Sequence, residues 1–405
     1  MFKRLMPFMV LPLFAFLLTQ CELEELENLE DTLQLEDSEV NFLPTSVSRH
    51  NQQIPGKYIV LLKKEGAAPQ DIERIKEIAS RLARKNGINK DSIRHIYGKA
   101  LQGFAISLNR GQLRKLEKEN LIEYIIPDKV VKLAPPAGRG PKNKGGDETN
   151  TPPPQTTPWG ITRVGGVGNG VGKTAWILDS GVDLDHPDLK VDRTLAWSAF
   201  GGRDKSPDDG NGHGTHVAGT IAALDNGVGV VGVAAGATIV PVKVLNSRGS
   251  GSYSAVLAGI DYVARNGQPG DVANLSLGGP VDVEVDNAVI EAAKTGVDFV
   301  LAAGNEGVDC NTFTPARANG PGVYTVSAMD KYDRFASFSN FGSSVDYCAP
   351  GVNILSTYKG GGYTALNGTS MAAPHVAGVL LLGNASANGY VSNDPDGVDD
   401  VIISQ

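Results

Sequence analysis

The spacing of apolar residues changes several times along this chain, and the changes divide it into segments. Residues 57–62, Lys-Tyr-Ile-Val-Leu-Leu, form a β-branched and aromatic run that predicts a strand. Ile72, Ile75, Ile78, Ala79 and Leu82 then recur at the spacing of one helix face. Strand-like runs follow at 92–97 and 103–108, Leu113 and Leu116 mark a second helix, and 122–131 predict a final strand. Residues 135–154 carry no period; they are rich in Pro, Gly and polar side chains, which build no core and leave the chain open to proteolysis. Beyond them, apolar runs at 175–178, 238–245, 272–277, 298–303 and 323–328 read as buried strands, with Ala/Gly-rich helical stretches between many of them.

The fold class that follows is α/β for residues 155–405: a mostly parallel central sheet with helices on both faces. A small α+β unit precedes it at 54–134, in the β-α-β-β-α-β order called ferredoxin-like. That order by itself says nothing about function.

At the N-terminus, Lys3 and Arg4 precede an apolar stretch from 5 to 18 that Pro7 and Pro12 interrupt. It reads as an export signal over residues 1–21 and is too short and broken to span a bilayer. Leu18-Thr19-Gln20-Cys21 resembles a bacterial lipoprotein cleavage box, from which Gln20 departs because a small residue belongs there. Lipid on Cys21 and ordinary cleavage nearby both remain open. Residues 22–53 begin as an acidic stretch with Leu23, Leu26, Leu29 and Leu33 interspersed, either a weak amphipathic helix or a solvated spacer.

Composition adds two constraints. With 41% hydrophobic and 20% charged residues the chain supports a sizeable core, and its net charge of −8 gives no reason to expect nucleic acid. That charge is uneven: residues 54–134 carry 17 Lys/Arg against 9 Asp/Glu, whereas 155–405 carry 14 against 25. Segments of opposite sign steer each other into a docked pair.

Candidate chemistry sits in three places. Asp179 ends the buried run Trp176-Ile177-Leu178, where open α/β sheets place their ligand sites. His213 is bracketed by glycines in Asn211-Gly212-His213-Gly214-Thr215-His216-Val217-Ala218-Gly219. His213, His216 and His375 raise a metal reading, but no acid stands between the first two to serve as the base of a zinc peptidase. Ser370 lies in Gly368-Thr369-Ser370-Met371-Ala372-Ala373-Pro374-His375 before an apolar helical run, and Pro374 is expected in the first helical turn. The surroundings of Ser370 are not Gly-x-Ser-x-Gly, which argues against an esterase of the α/β-hydrolase type.

These three segments, in Asp, His, Ser order, resemble the signatures of the subtilisin family of serine peptidases. The resemblance is closest to the proteinase K and aqualysin-like branch, because the stretch from Asn305 to Pro315 is short. It implies a secreted serine endopeptidase with Ser370 as nucleophile, His213 as base and then acid, and Asp179 orienting the imidazole. Ala302-Ala303-Gly304-Asn305 resembles the family's oxyanion segment, with the Asn305 amide as donor beside the Ser370 N–H. Gly249-Ser250-Gly251 and Ser276-Leu277-Gly278 look like the two edges between which a substrate peptide lies as an added strand. Small or apolar walls at 302–304 and before Pro315 imply preference for apolar or aromatic residues before the cut.

The same resemblance makes residues 54–134 an inhibitory prodomain and an intramolecular partner, removed by cleavage between Leu133 and Gln155. It implies a calcium site from the Gln155 and Asn226 side chains, the Asp188 carboxylate, and the carbonyls of Leu224, Val228 and Val230, all hard oxygen donors. Cys310 and Cys348 are an even pair in an exported enzyme, which favours a disulfide, and the aqualysin-like branch has one in a similar place. Peptide and protein substrates, a monomer, and membrane contact through lipid on the precursor alone complete the expectation. The location is then extracellular, or the cell envelope before maturation. Two departures stand out: the stretch from Trp159 to Lys173 is compressed and Gly-rich, and Asn393-Asp394-Pro395-Asp396-Gly397 does not match the family's closing helices. An inactive relative kept as a peptide-binding module is the alternative, and it would need none of Asp179, His213, Asn305 or Ser370.

Overall fold

The computed structural model describes residues 52–63, 72–133 and 153–405. The export signal, Cys21, nearly all of the acidic spacer and most of the linker with its cleavage region lie outside the described residues. The smaller unit runs β1 (Gln53–Leu62), α1 (Ile72–Lys85), β2 (Ile93–Tyr97), β3 (Gly103–Ser107), α2 (Arg110–Leu116), β4 (Ile122–Lys132). Its antiparallel sheet has the order β4-β1-β3-β2. The unbroken apolar run in β1 is explained by burial on both faces. Val60 and Leu62 pack under the unit's own helices with Ile75, Leu82 and Leu116. Ile59 and Leu61 face the other way, against Tyr253, Val256 and Val285 of the larger unit.

In the larger unit, β5 (Thr174–Asp179) is followed by α3 (His213–Ala222), β6 (Thr238–Lys243), β7 (Ser250–Ser252), α4 (Tyr253–Asn266) and β8 (Val272–Leu275). Next come α5 (Val283–Ala293), β9 (Asp298–Ala302), β10 (Val323–Met329), β11 (Val345–Pro350), the hairpin β12 (Ile354–Tyr358) and β13 (Gly362–Leu366), and α6 (Thr369–Leu382). A hairpin, β14 (Ser386–Tyr390) and β15 (Val401–Ser404), follows, and the stretch 393–397 lies between its strands. The sheet order is β14-β15-β11-β10-β9-β8-β5-β6, ending on a short strand at Trp197–Ser198, and every pairing but β14–β15 is parallel.

Side chains alternate across β5 as a pleated strand requires. Trp176 and Leu178 join the core beneath α4 and α5, while Ala175 and Ile177 pack against α3 and α6. The two inner helices are built from small and apolar residues because both are enclosed on nearly all sides: after His213 every residue of α3 is buried. From β5 the chain goes to β6 on one side and then to β8 on the other. That reversal opens a crevice at the carboxyl ends of the strands, where Asp179 stands.

Candidate active site

Asp179 closes β5 and is fully buried; His213 opens α3. The imidazole Nδ1 lies 3.0 and 2.9 Å from the two Asp179 carboxylate oxygens, and the Ser180 N–H donates to Oδ1 at 2.6 Å. Helix and strand come this close because Gly214 has no side chain: a Cβ there would lie 2.1 Å from the Gly181 carbonyl oxygen. Burial pushes the His213 imidazole down. The charge and hydrogen bond of Asp179, with the charge of Asp209, outweigh that effect and hold it above its ordinary value.

Asp209 was not singled out by motif, yet it ties the two segments together. Its Oδ1 accepts from Ser180 Oγ at 2.9 Å, Asn211 N at 2.9 Å and Gly212 N at 2.8 Å. Its Oδ2 accepts from Thr215 N at 3.0 Å and Thr215 Oγ1 at 2.6 Å. Ser180 Oγ in turn accepts from Gly214 N at 3.1 Å. One nearly buried carboxylate thus fixes the turn after Asp179 to the start of α3.

Ser370 lies in the first turn of α6, 5% exposed, and its Oγ donates to the Ser276 carbonyl at 3.3 Å. Pro374 is not in the first turn as expected but one turn further in. Lacking an N–H, it leaves the Ser370 carbonyl without its helical partner. Ser276 Oγ fills the gap, donating to that carbonyl at 2.9 Å and accepting from Asn274 Nδ2 at 2.8 Å. The exception to the helix rule is therefore satisfied from the end of β8, and it pins the Ser370 backbone.

Asn305 is oriented by Thr369, whose N–H and Oγ1 both donate to the amide oxygen at 2.9 Å. The amide nitrogen is left to donate elsewhere. A Cβ placed on Gly368, whose φ is +149°, would lie 3.1 Å from Asn305 Nδ2 and 3.6 Å from Ser370 N, so both donors border one spot. Two N–H donors converging beside a hydroxyl are what a developing oxyanion needs. Asn340 braces the same loop, accepting from Glu306 N and Val308 N and donating to the Ala303 carbonyl.

The cleft is filled by the chain itself. β4 pairs antiparallel with β7, Ser250 opposite Lys132 and Gly251 opposite Val131, and Lys132 also bridges to Gly278. Leu133 N donates to the Gly249 carbonyl at 2.9 Å. Residues 130–133 therefore lie as a strand between the two edge segments, with Val131 buried, Lys132 exposed and Leu133 half-buried.

The residues of the implied calcium site also meet. Gln155 Oε1 accepts from Asn226 N and Gly227 N, Asn226 Nδ2 donates to Asp188 Oδ1 at 3.1 Å, and Val230 N donates to Asp188 Oδ2 at 3.0 Å. Asp188 is fully buried with no cationic side chain paired to it among the described residues, and burial pushes its carboxyl up to about 6. Asp188 is a buried carboxylate without a counter-charge, which suits a divalent cation, although in this structure its two oxygens accept from the Asn226 amide and the Val230 N–H. The expected disulfide is not formed. Both thiols are free and sit in separate apolar clusters, Cys310 with Ala303 and Ala316, Cys348 with Met329, Val391 and Ile402. Burial pushes the Cys310 thiol up to about 12.

Residues 172–403 match the subtilase family, and residues 57–134 match the peptidase inhibitor I9 family. The chain is 35% identical to Proteinase R of Parengyodontium album over 362 residues, covering 84% of each chain. It is 46% identical to Subtilisin Savinase of Lederbergia lenta over 237 residues, 56% of this chain and 84% of that one. Among solved structures, a cold-adapted subtilisin-like serine proteinase aligns with a TM-score of 0.53 at 38% identity, covering 60% of this chain and 96% of the other.

Proposed function

Because the chain belongs to the subtilase family and is a serine endopeptidase of it with an I9-type prodomain, we propose how its own residues carry that activity. Ser370 Oγ attacks the scissile carbonyl, and His213, held by Asp179, takes the proton and returns it to the leaving amine. The Asn305 amide and the Ser370 N–H receive the oxyanion. In the present arrangement Ser370 Oγ is turned to the Ser276 carbonyl, so the attack requires its side chain to rotate toward the imidazole. The observation that carries the reading is the strand 130–133 paired between Gly249–Gly251 and Gly278, beside the Asp179–His213 pair. It supports binding of an extended substrate peptide chiefly through its main chain.

Small walls at 302–304 support a preference for apolar or aromatic residues before the cut, and a strong preference for Lys or Arg there in a peptide library would contradict it. The same docked strand supports an autoprocessed zymogen whose prodomain blocks the cleft until maturation. Calcium, if bound there, would be held by Gln155, Asp188, Asn226 and the carbonyls of Leu224, Val228 and Val230, and would supply the counter-charge that the buried Asp188 lacks. The test is Ser370→Ala. Peptidase activity should fall on the order of 10^6-fold, the scale known for subtilisin itself, and unprocessed precursor should accumulate. Undiminished cleavage would overturn the assignment.

A further inference from the structure

We propose that Asp282, backed by Asp286, forms a substrate subsite for a basic side chain, three residues upstream of the peptide residue seated opposite Gly278. The proposal rests on the endopeptidase reading of the cleft and extends it. Contact between the docked strand and the edge segment does not stop at residue 130. Lys129 Nζ donates to the Val281 carbonyl at 2.8 Å and to Asp282 Oδ2 at 2.9 Å, and the Asp282 side chain is 2% exposed. The edge segment accompanies the strand all the way there. Lys132 bridges to Gly278, and a Cβ on Gly279 would lie 3.7 Å from the Val130 carbonyl oxygen. An extended peptide following this main-chain path presents the side chain at the Lys129 position to the same carboxylate.

The acidic end of the subsite is built into the fold and outlasts the prodomain. Asp282 caps α5, accepting from Val285 N at 3.4 Å, and its own N–H is held by Thr314 Oγ1 at 2.9 Å. Asp286, 6% exposed one turn further on, has Arg317 Nε 3.3 Å away. Glu284, whose carboxylate accepts from the Tyr124 hydroxyl, stands on the same rim. When the prodomain leaves, Lys129 leaves with it. Among the described residues Asp286 then keeps Arg317 while Asp282 has lost its paired cation, which a substrate Lys or Arg restores.

The experiment compares internally quenched peptides carrying the sequence of residues 129–133 ahead of a cleavable segment, with Lys, Ala or Glu in place of Lys129. The matured enzyme should show kcat/KM roughly three- to fivefold higher for Lys than for Ala, lower still for Glu, with the Lys advantage shrinking as salt is raised. In Asp282→Asn, which keeps an oxygen for the cap, the Lys-to-Ala ratio should fall to about one. Equal rates for the Lys and Ala peptides in the wild type would overturn the subsite, as would a ratio that survives Asp282→Asn. Cleavage of the Ala peptide in either case leaves the endopeptidase reading standing, whereas failure of the wild type to cut any of them would remove both.

Discussion

At the scale of single residues, the catalytic motifs are surrounded by groups whose importance lies in what they hold. Asp209 receives five hydrogen bonds from Ser180, Asn211, Gly212 and Thr215, and its charge is one of those that raise the His213 imidazole. In the mechanism proposed, His213 must be neutral to accept a proton, so activity is expected above its pKa and lost as pH falls through it. Asp209→Asn removes one charge that favours the imidazolium. The acid limb of kcat/KM should therefore move to lower pH, while kcat drops roughly 10- to 100-fold with little change in KM. A pH–rate profile decides the point: a loss of activity with the acid limb unmoved would mean that Asp209 serves the fold alone.

At the scale of elements, the loop 224–230 and the strand β11 show where spacing informs and where it does not. Asp188, Asn226 and Gln155 come from three distant segments, and Asn226 is hydrogen-bonded to both of the others. At neutral pH the ionised Asp188 is costly to bury, a cost that protonation removes as pH falls below about 6. A bound cation opposes that cost only while the carboxyl is ionised. Chelation should therefore lower Tm by about 5–10 °C at pH 8, on the scale of ligand-linked stability for a domain of this size. The gap should close as pH falls through about 6, which calorimetry with and without chelator checks. The cysteines teach the opposite lesson. Even parity and export favoured a bond, but both thiols are free, Cys348 packed with Met329 and Ile402 and Cys310 with Ala303 and Ala316.

For the whole molecule, the docked prodomain is the dominant fact. Opposite net charges favour the encounter, yet much of the polar docking comes from carboxylates accepting backbone N–H groups rather than from ion pairs. Asp261 of α4, fully buried, accepts from Gly98 N, Lys99 N and Ala100 N at 3.0, 2.6 and 3.0 Å. From the other side, Asp128 accepts from Ser254 N and Ser254 Oγ at the start of α4, an anion at a helix N-terminus. Asp261→Ala removes the acceptor of three charge-assisted bonds and should speed prodomain release. The lag before activity in a processing time course should shorten by roughly tenfold. An unchanged lag would show that the apolar face formed by Ile59, Leu61 and Tyr97 suffices.

Much of this protein is written in its order of residues. The catalytic signatures, the two units, the parallel sheet and the strand-like run ending near residue 131 are local patterns, and short-range sterics and burial translate each into an element without reference to the rest of the chain. Tertiary structure alone decided the relations between distant groups: Ser276 supplying the hydrogen bond that Pro374 withholds, Thr369 turning the Asn305 amide, two buried thiols left free, and Lys129 set on Asp282. The physical reason is that hydrogen bonds and ion pairs form over a few ångströms of space, and the spacing of residues along a chain does not specify that distance until the core has packed.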